Sequence, residues 1–308
     1  MISPVQLSYI FALLKHKNFQ RAADACHVTQ PTLSMQLKKA EDTLGYKIIN
    51  RDSNPISLTK AGKQLYPKLS AIQQAYDELD IQIQRLKGTY KAEIRIGIIP
   101  TISNYLVPEL YAKWQDEIGD VHLDISELTS PNLLTALKEK TIDFGIMAGP
   151  VEDSNLDQQI LFNEEVLIYA PNIKNHTIKL EELENEYPWL LSPGNCLRTQ
   201  MINFCKLDSA KKSEWNYEGG NLHLLTQMVE QQGGYTLVPQ YYIPHLNLNP
   251  EDLKKVVDHT PIRQIIGLHL KRNTKKEDIV KIMRIIQRSK SGKNKLLENV
   301  ELLPWEGS

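Results

Sequence analysis

The apolar residues near the start of the chain recur every three or four positions, which is the spacing of one face of an α-helix. This pattern predicts a first amphipathic helix through Leu7, Ile10 and Leu14. Phe19, followed by several alanines, predicts a second helix small enough to pack closely against the first. A turn at Val28 then leads to a third helix.

The third helix has start and stop signals and one strongly polar face. Thr29 is a good N-cap, Pro31 suits a first helical turn and Gly45 is a natural stop. The polar face suits the major groove, because Gln, Thr and Ser can read base edges while Lys neutralises phosphate. Pattern alone also fits a three-helix bundle with a solvated face. The candidate DNA-binding residues, including one from a predicted β-hairpin wing at 47–59, are Thr29, Gln30, Pro31, Thr32, Ser34, Gln36, Lys38 and Arg51.

A narrower apolar stripe follows the wing and predicts one long helix. Its members are spaced alternately four and three residues apart over three consecutive heptads. A helix that faces its own core usually shows a broader apolar face, so we expect this seam to pair with a second copy of the chain. A two-fold dimer would read paired half-sites on duplex DNA. The seam residues are Leu65, Leu69, Ile72, Tyr76, Leu79, Ile83 and Leu86.

After Gly88 the pattern changes to strands that alternate with helices. Apolar residues alternate over 94–98 and 121–125, and a buried strand is predicted at 144–147. Helical spacing separates these strands. The alternation implies α/β units.

Composition and charge narrow the class of protein. The chain has 308 residues, enough for two or more compact units, and its 41% hydrophobic and 24% charged residues exclude disordered, collagen-like and membrane proteins. Residues 1–92 carry a net charge of +6, and the remainder carries −7. A basic front end indicates nucleic-acid contact confined to that end. The apolar run at 9–14 is too short for a membrane span, so we expect a cytoplasmic protein without membrane contact.

The three cysteines, Cys26, Cys196 and Cys205, are too few for a disulfide scaffold. Cys26 lies among the alanines of the second helix, where we expect it to serve packing. No close pairing of Cys and His ligands is present in the sequence, so we expect no metal site and no cofactor.

The first ninety residues resemble the DNA-binding half of a LysR-type transcriptional regulator. The resemblance runs from Phe19 through the 29–34 segment Thr-Gln-Pro-Thr-Leu-Ser to Gly62, and the 233–239 segment Gly-Gly-Tyr-Thr-Leu-Val-Pro resembles the family's second lobe. It implies a winged helix-turn-helix, a linker helix and an α/β effector module of two lobes like a periplasmic binding protein.

The family pattern also implies boundaries and partners. We expect a DNA-binding domain at 1–60, a dimerisation helix at 61–88, lobe I at 93–163 with 268–308, and lobe II at 164–267. Double-stranded DNA is the expected partner. A homodimer through the linker helix, further assembly into a homotetramer, and contact with RNA polymerase are also expected.

The segment from Ser192 to Cys205 is similar to the redox segment of OxyR-type hydrogen-peroxide sensors. In those sensors a peroxidatic cysteine, which attacks peroxide, and a resolving cysteine lie nine residues apart, as Cys196 and Cys205 do here. The resemblance implies a reversible disulfide between them and control of oxidative-stress genes. One position departs from the pattern, because Asn195 stands where the sensors commonly have His.

The chemistry requires a stabilised thiolate at Cys196, since the thiolate is the nucleophile. We expect that stabilisation from the N-terminus of a helix running to about residue 204 and from Arg198 in its first turn. By resemblance Thr101 would bond peroxide, with Thr129 a weaker candidate. Both threonines equally suit helix capping.

A helix between the two cysteines would make disulfide formation a change of shape. Nine residues rise about 13.5 Å and place the thiols on opposite faces, whereas a disulfide needs Cα atoms within roughly 7 Å. Oxidation would therefore unwind the helix. Three alternatives stay open: two buried core thiols, a regulator that binds a small metabolite between the lobes, and a thiol peroxidase. The basic helices and the heptads argue against an enzyme.

Overall fold

The computed structural model of the chain describes residues 2–51, 53, 55–117, 121–207, 219–291 and 299–305. The chain folds into two units, Met1–Tyr90 and Lys91–Ser308. The first unit confirms the predicted helices and the wing. Its elements are α1 (Pro4–His16), α2 (Phe19–Ala25), α3 (Gln30–Leu44), β1 (Ile49–Asn50), β2 (Ser57–Leu58) and α4 (Lys60–Leu86).

Local signals in the sequence set the ends of the short helices. Ser3 forms a capping box with Gln6 at the start of α1, and Thr29 accepts a hydrogen bond from the Thr32 amide at the start of α3. Gly45 ends α3 with φ of +72°, a left-handed conformation that favours glycine. The core of the unit is formed by the apolar stripes of these helices, including Leu7, Ile10, Leu13, Leu33, Leu37 and Ala40.

The long helix α4 divides its apolar seam into two parts. Leu65 and Leu69 pack into the core of the first unit. The remaining seam residues are 39% to 89% exposed: Ile72, Tyr76, Leu79, Ile83 and Leu86. Beyond Leu69 the apolar seam is therefore not covered by the described residues of its own chain.

The second unit is a mixed α/β structure. Short 3-10 helices occur at Leu180–Leu183, Ile243–His245 and Pro250–Asp252. Its other elements are β3 (Ala92–Ile98), α5 (Pro100–Glu117), β4 (Val121–Glu127), α6 (Ser130–Lys138), β5 (Phe144–Gly149), β6 (Leu156–Tyr169), β7 (Thr177–Ile178), α7 (Cys196–Phe204), α8 (Leu222–Gln232), β8 (Thr236–Pro239), β9 (Leu253–Val256), β10 (Thr260–Leu270), α9 (Lys276–Ser291) and β11 (Val300–Leu302).

Two long antiparallel strands, β6 and β10, join the two lobes of this unit. The sheet order is β4-β3-β5-β10-β6-β9-β7, with β3 parallel to both β4 and β5. Strands β8 and β9 pair with the far end of β6. The predicted lobe borders, at 163/164 and 267/268, fall inside β6 and β10. Side chains on these strands can therefore reach elements of both lobes.

Among the helices that the structure describes, none combines the length with the apolar composition needed to cross a bilayer.

Candidate functional site

Cys196 is the first residue of α7, and its side chain is only 2% exposed. Gly194 precedes the helix in the left-handed region, with φ of +88°, so the tight turn before the N-cap Asn195 requires glycine. The Gly194 carbonyl accepts the Ser130 amide at 3.2 Å, which brings the start of α6 against the start of α7. The sulfur thus lies where two helices begin.

Arg263 on β10 supplies the positive charge at this sulfur. Its guanidinium is wholly buried and bonds Glu164 Oε2 through Nε at 2.7 Å. It also donates to Thr101, from Nη1 to Oγ1 at 3.0 Å and from Nη2 to the carbonyl at 3.1 Å. Since Glu164 further accepts the Tyr241 amide and bonds the Tyr105 hydroxyl, the guanidinium is held rigidly.

Burial and local polarity act on the Cys196 thiol in opposite directions. Burial raises its pKa, while the charge of Arg263, the Ser130 hydroxyl and the amides of Ala148 and Leu197 lower it. The net result in this dithiol state is a pKa above the ordinary value. The expected net lowering by the helix N-terminus is therefore not seen, because desolvation of the thiolate is the larger effect.

Ser130 is a site residue that sequence reasoning missed. Its side chain is fully buried, and its hydroxyl influences the sulfur. Within the described part of the chain, Oγ makes no hydrogen bond of regular geometry. The hydroxyl acts on the sulfur, and its remaining hydrogen-bonding capacity can serve a small ligand that enters there.

Cys205 closes the same helix as its C-cap, and it is half-buried. Burial raises the pKa of Cys205 to about 12, and the Tyr235 hydroxyl partly opposes this rise. Both thiols are free, and the whole of Cys196–Phe204 is helical. At 1.5 Å per residue the two Cα atoms lie about 13.5 Å apart, too far for a disulfide without unwinding.

Of the other predicted site residues, only Thr101 is bonded to Arg263 in the described part of the chain. Thr101 is buried and directly bonded to Arg263. Arg198 instead donates through Nη1 to the Leu191 carbonyl at 2.7 Å, so the counter-charge for Cys196 is Arg263 and not Arg198. Thr129 occupies the N-cap position of α6, one residue before Ser130, without a side-chain capping bond.

Asn195, which departs from the His of the family pattern, is bonded within the turn before α7. Its Nδ2 bonds the Ser192 carbonyl and the Ser192 Oγ, each at 3.0 Å. The amide therefore fastens the turn before α7.

Arg263 and Glu164 were not identified from the sequence, because neither belongs to a recognised motif. Their signal is a charge between apolar residues of a strand: Arg263 lies in the 262–266 segment Ile-Arg-Gln-Ile-Ile, and Glu164 lies in the 161–166 segment Leu-Phe-Asn-Glu-Glu-Val. A fully buried charge needs a partner. Two such charges in separate strands would have indicated a buried ion pair, although not its neighbour Cys196.

The predicted DNA-binding face lies on the first half of α3. Of its residues, Thr29, Gln30, Pro31 and Lys38 are exposed, while Thr32, Ser34 and Gln36 are half-buried.

Three contacts of Glu41 hold the wing against α3, and one exposed residue adds to the face. Arg51 of the wing pairs with Glu41 Oε2 at 3.0 Å, and Glu41 also accepts the Ile48 and Ile49 amides, so the wing is fixed to α3. Met35, which the sequence reasoning omitted, is 61% exposed on the same helix. An exposed methionine there can contact a thymine methyl group.

A cleft of about 610 Å³ opens elsewhere in the second unit. Its lining mixes polar and apolar atoms. Its lining residues are Pro100, Asn104, Glu127, Gly220, Asn221, His223, Tyr242 and His245.

Comparison with known protein families agrees with both units. Residues 4–63 match the bacterial regulatory helix-turn-helix protein, lysR family, and residues 87–281 match the LysR substrate binding domain. The chain belongs to the LysR family of transcriptional regulators, with a helix-turn-helix for DNA and a two-lobe α/β regulatory domain.

Within that family the chain is homologous to OxyR proteins. It is 30% identical over 271 residues to the DNA-binding transcriptional dual regulator OxyR of Escherichia coli, covering 85% of this chain and 87% of the relative. It is 30% identical over 242 residues to the hydrogen peroxide-inducible genes activator of Pectobacterium carotovorum, covering 77% and 80%.

Solved structures support the same fold. A full-length OxyR variant from Pseudomonas aeruginosa has a TM-score of 0.70 at 24% identity, over 93% of this chain and 95% of that one. A Corynebacterium glutamicum OxyR variant with bound hydrogen peroxide has a TM-score of 0.59 at 25% identity, over 98% and 99%.

Proposed function

We propose that this LysR-family regulator senses hydrogen peroxide through Cys196 and Cys205 and controls oxidative-stress genes. One observation carries the proposal: a buried cysteine at a helix N-terminus is stabilised as thiolate by the charge of a fixed guanidinium and by the Ser130 hydroxyl, and a second thiol closes the same helix. The homologous peroxide-inducible activators support the choice of oxidant.

The first step is attack of the Cys196 thiolate on one oxygen of hydrogen peroxide. The O–O bond breaks, the sulfur becomes a sulfenic acid, and the second oxygen leaves as water after gaining a proton. Arg263 favours this step because its charge stabilises the thiolate and the negative charge that develops on the leaving oxygen.

Two hydroxyls are suited to orient the peroxide. Thr101 Oγ1 accepts from Arg263 Nη1, so its own hydrogen is free to donate to a peroxide oxygen. Ser130 Oγ offers a second donor or acceptor beside the sulfur. In this proposal these two hydroxyls replace the missing His, because the Asn195 amide is engaged by Ser192.

The second step is attack of the Cys205 thiolate on the sulfur of the Cys196 sulfenic acid: the S–S bond forms, the S–O bond breaks, and the hydroxide that leaves gains a proton and becomes water. The helix α7 separates the two thiols, so unwinding must precede or accompany this attack. The local chemistry thereby becomes a rearrangement of lobe II that can reposition neighbouring subunits.

The response reaches DNA through the first unit. In this proposal residues 1–60 read duplex DNA, the exposed seam of α4 pairs two copies, and the copies associate into a homotetramer that contacts RNA polymerase. The regulatory lobes, 93–163 with 268–308 and 164–267, supply the signal. The exposed polar residues of α3 and the exposed seam support this division.

The proposal is tested by treating the purified full-length protein with one equivalent of peroxide. Thiol alkylation followed by peptide mapping should find a Cys196–Cys205 disulfide, and footprints on bound operator DNA should change. The variant Cys26→Ser should behave as the parent, whereas Cys196→Ser should show neither effect. Unchanged footprints and three free thiols after treatment would overturn the proposal.

A metabolite-responsive regulator is the second candidate function, and the cleft of about 610 Å³ favours it. Its mixed lining, with His223, His245 and Glu127 as polar groups, suits a small effector. This candidate predicts a ligand-dependent rise in melting temperature that survives replacement of Cys196 and Cys205 by Ser. A response that is lost in this double variant excludes it.

A further inference from the structure

Residues 299–305, here called the C-terminal strap, pack beside the helix that carries both cysteines. Strand β11 of the strap is parallel to β10. Backbone bonds fix both ends of the pairing, from the Thr260 amide to the Asn299 carbonyl at 2.9 Å and from the Leu303 amide to the Ile262 carbonyl at 2.8 Å. Leu303 is buried in the core of the second unit.

The first contact between strap and helix is a buried hydrogen bond from the middle of α7. Gln200 lies four residues after Cys196 and is only 1% exposed. Its Nε2 donates to the Leu303 carbonyl at 2.7 Å, whereas its Oε1 has no partner among the described residues. The bond to the strap is thus what orients this amide.

The second contact is at the last turn of α7. The Phe204 ring meets the edge of His259 with centroids 5.8 Å apart and an interplanar angle of 89°. His259 in turn lies 2.6 Å from Glu301 Oε2 on β11. The strap therefore reaches α7 at its middle and, through His259, at its end.

We propose that the strap opposes disulfide formation by holding α7 helical, with Gln200 as the positioning residue. The inference rests on the proposed function, since it concerns the same two thiols. Unwinding of 196–205 moves Gln200 and Phe204 away from their partners, so both contacts belong to the dithiol form. Interactions made in only one of two states shift the equilibrium toward that state.

The consequence is a measurable change in redox equilibrium. In exchange with oxidised glutathione, the Cys196–Cys205 bond forms while the glutathione disulfide breaks and two glutathione thiols are released. A buried hydrogen bond contributes modestly, and loss of the unpaired Gln200 Oε1 offsets part of it. We expect Gln200→Met to raise the equilibrium constant for protein disulfide formation roughly three- to tenfold, a reduction potential about 15–30 mV more negative.

The chain offers a matched control in Gln287. Its Nε2 also donates to a backbone carbonyl at 2.7 Å, that of Ile160, but it lies on α9 and not on α7. Potentials of the full-length parent, Gln200→Met and Gln287→Met should be measured in glutathione buffers by alkylation and mass spectrometry. We expect the reduction potential to shift in Gln200→Met and to stay at the parental value in Gln287→Met. Equal potentials for parent and Gln200→Met would overturn the inference.

Hydrogen exchange tests the strap in the unaltered protein and does not depend on a variant folding. The Leu303 amide should exchange at least about tenfold faster in the disulfide form than in the dithiol form, while amides of β5 serve as the internal reference. Equal Leu303 exchange in both forms contradicts the strap. If the parent forms no Cys196–Cys205 disulfide at all, the proposed function fails; if it does and Leu303 and Gln200 are indifferent, only the strap fails.

Discussion

Replacement of Arg263 separates its contribution to stability from its contribution to reactivity. The single variant Arg263→Met leaves Glu164 fully buried without its cationic partner. Breaking such a pair costs roughly 3–5 kcal/mol, which for a unit of this size lowers the melting temperature by roughly 6–20 °C. The double variant with Glu164→Gln removes both charges, and its amide retains an oxygen for the Tyr241 amide. Most of the lost stability should therefore return.

The double variant should nevertheless react slowly with peroxide. Arg263 lowers the pKa of Cys196, and a nearby opposite charge is worth roughly one to three pH units. At neutral pH the thiolate population, and with it the rate, should fall roughly 10-fold to 1000-fold. Stopped-flow measurement of peroxide consumption against pH, beside melting curves, checks both effects. A double variant that melts like the parent and also reacts at the parental rate at every pH would refute the assignment of Arg263.

Four further outcomes are expected. Ser130→Ala should slow the reaction with peroxide roughly tenfold, the effect of one lost hydrogen bond of ordinary strength, while Thr129→Val should keep the parental rate; competition kinetics measure both. Arg198→Met should keep the parental rate, because its guanidinium bonds the Leu191 carbonyl; a large loss would return the counter-charge to Arg198. The peroxide rate should rise with pH toward and beyond 9.0, since burial raises the pKa of Cys196 above that value. The free energy of unfolding should fall as pH rises from 9.0 to about 12, because Cys205 ionises in this range in the unfolded chain but stays protonated in the folded one. Denaturant titration should find a smaller fall with pH in Cys205→Ala.

The first unit could be predicted from sequence because its determinants are local. Helix stripes recur within one or two turns, and caps such as Thr29 and Gly45 act on adjacent backbone. The seam of α4 was assigned to a partner as a whole, yet Leu65 and Leu69 pack into their own unit. Periodicity defines which face of a helix is apolar, whereas tertiary packing decides what covers each turn of that face.

The second unit was predicted less completely because its sheet joins distant segments. The early βα alternation was evident, and the helix after Gly194 follows from a turn and a run of helix-forming residues. Strands β6 and β10 pair across about one hundred residues, and no local pattern specifies that pairing. The strap, β11, was invisible for the same reason.

The proposed switch could be predicted from local sequence, whereas the proposed chemistry could not. Both thiols and the helix between them belong to one ten-residue segment, so the proposed change of shape needs only the spacing of the two cysteines and the helix. The counter-charge comes from Arg263, which bonds Thr101 across a sequence separation of 162 residues. Arg198 looked suitable because it is near in sequence, but a partly exposed arginine gains more by bonding a nearby carbonyl than by entering an apolar pocket. Burying a guanidinium beside the sulfur requires a second buried charge, Glu164, to neutralise it, and only the folded sheet brings the two strands together. The proposed reactivity of Cys196 therefore depends on the pairing of β6 with β10 in the folded second unit, which places Arg263 and Glu164 together.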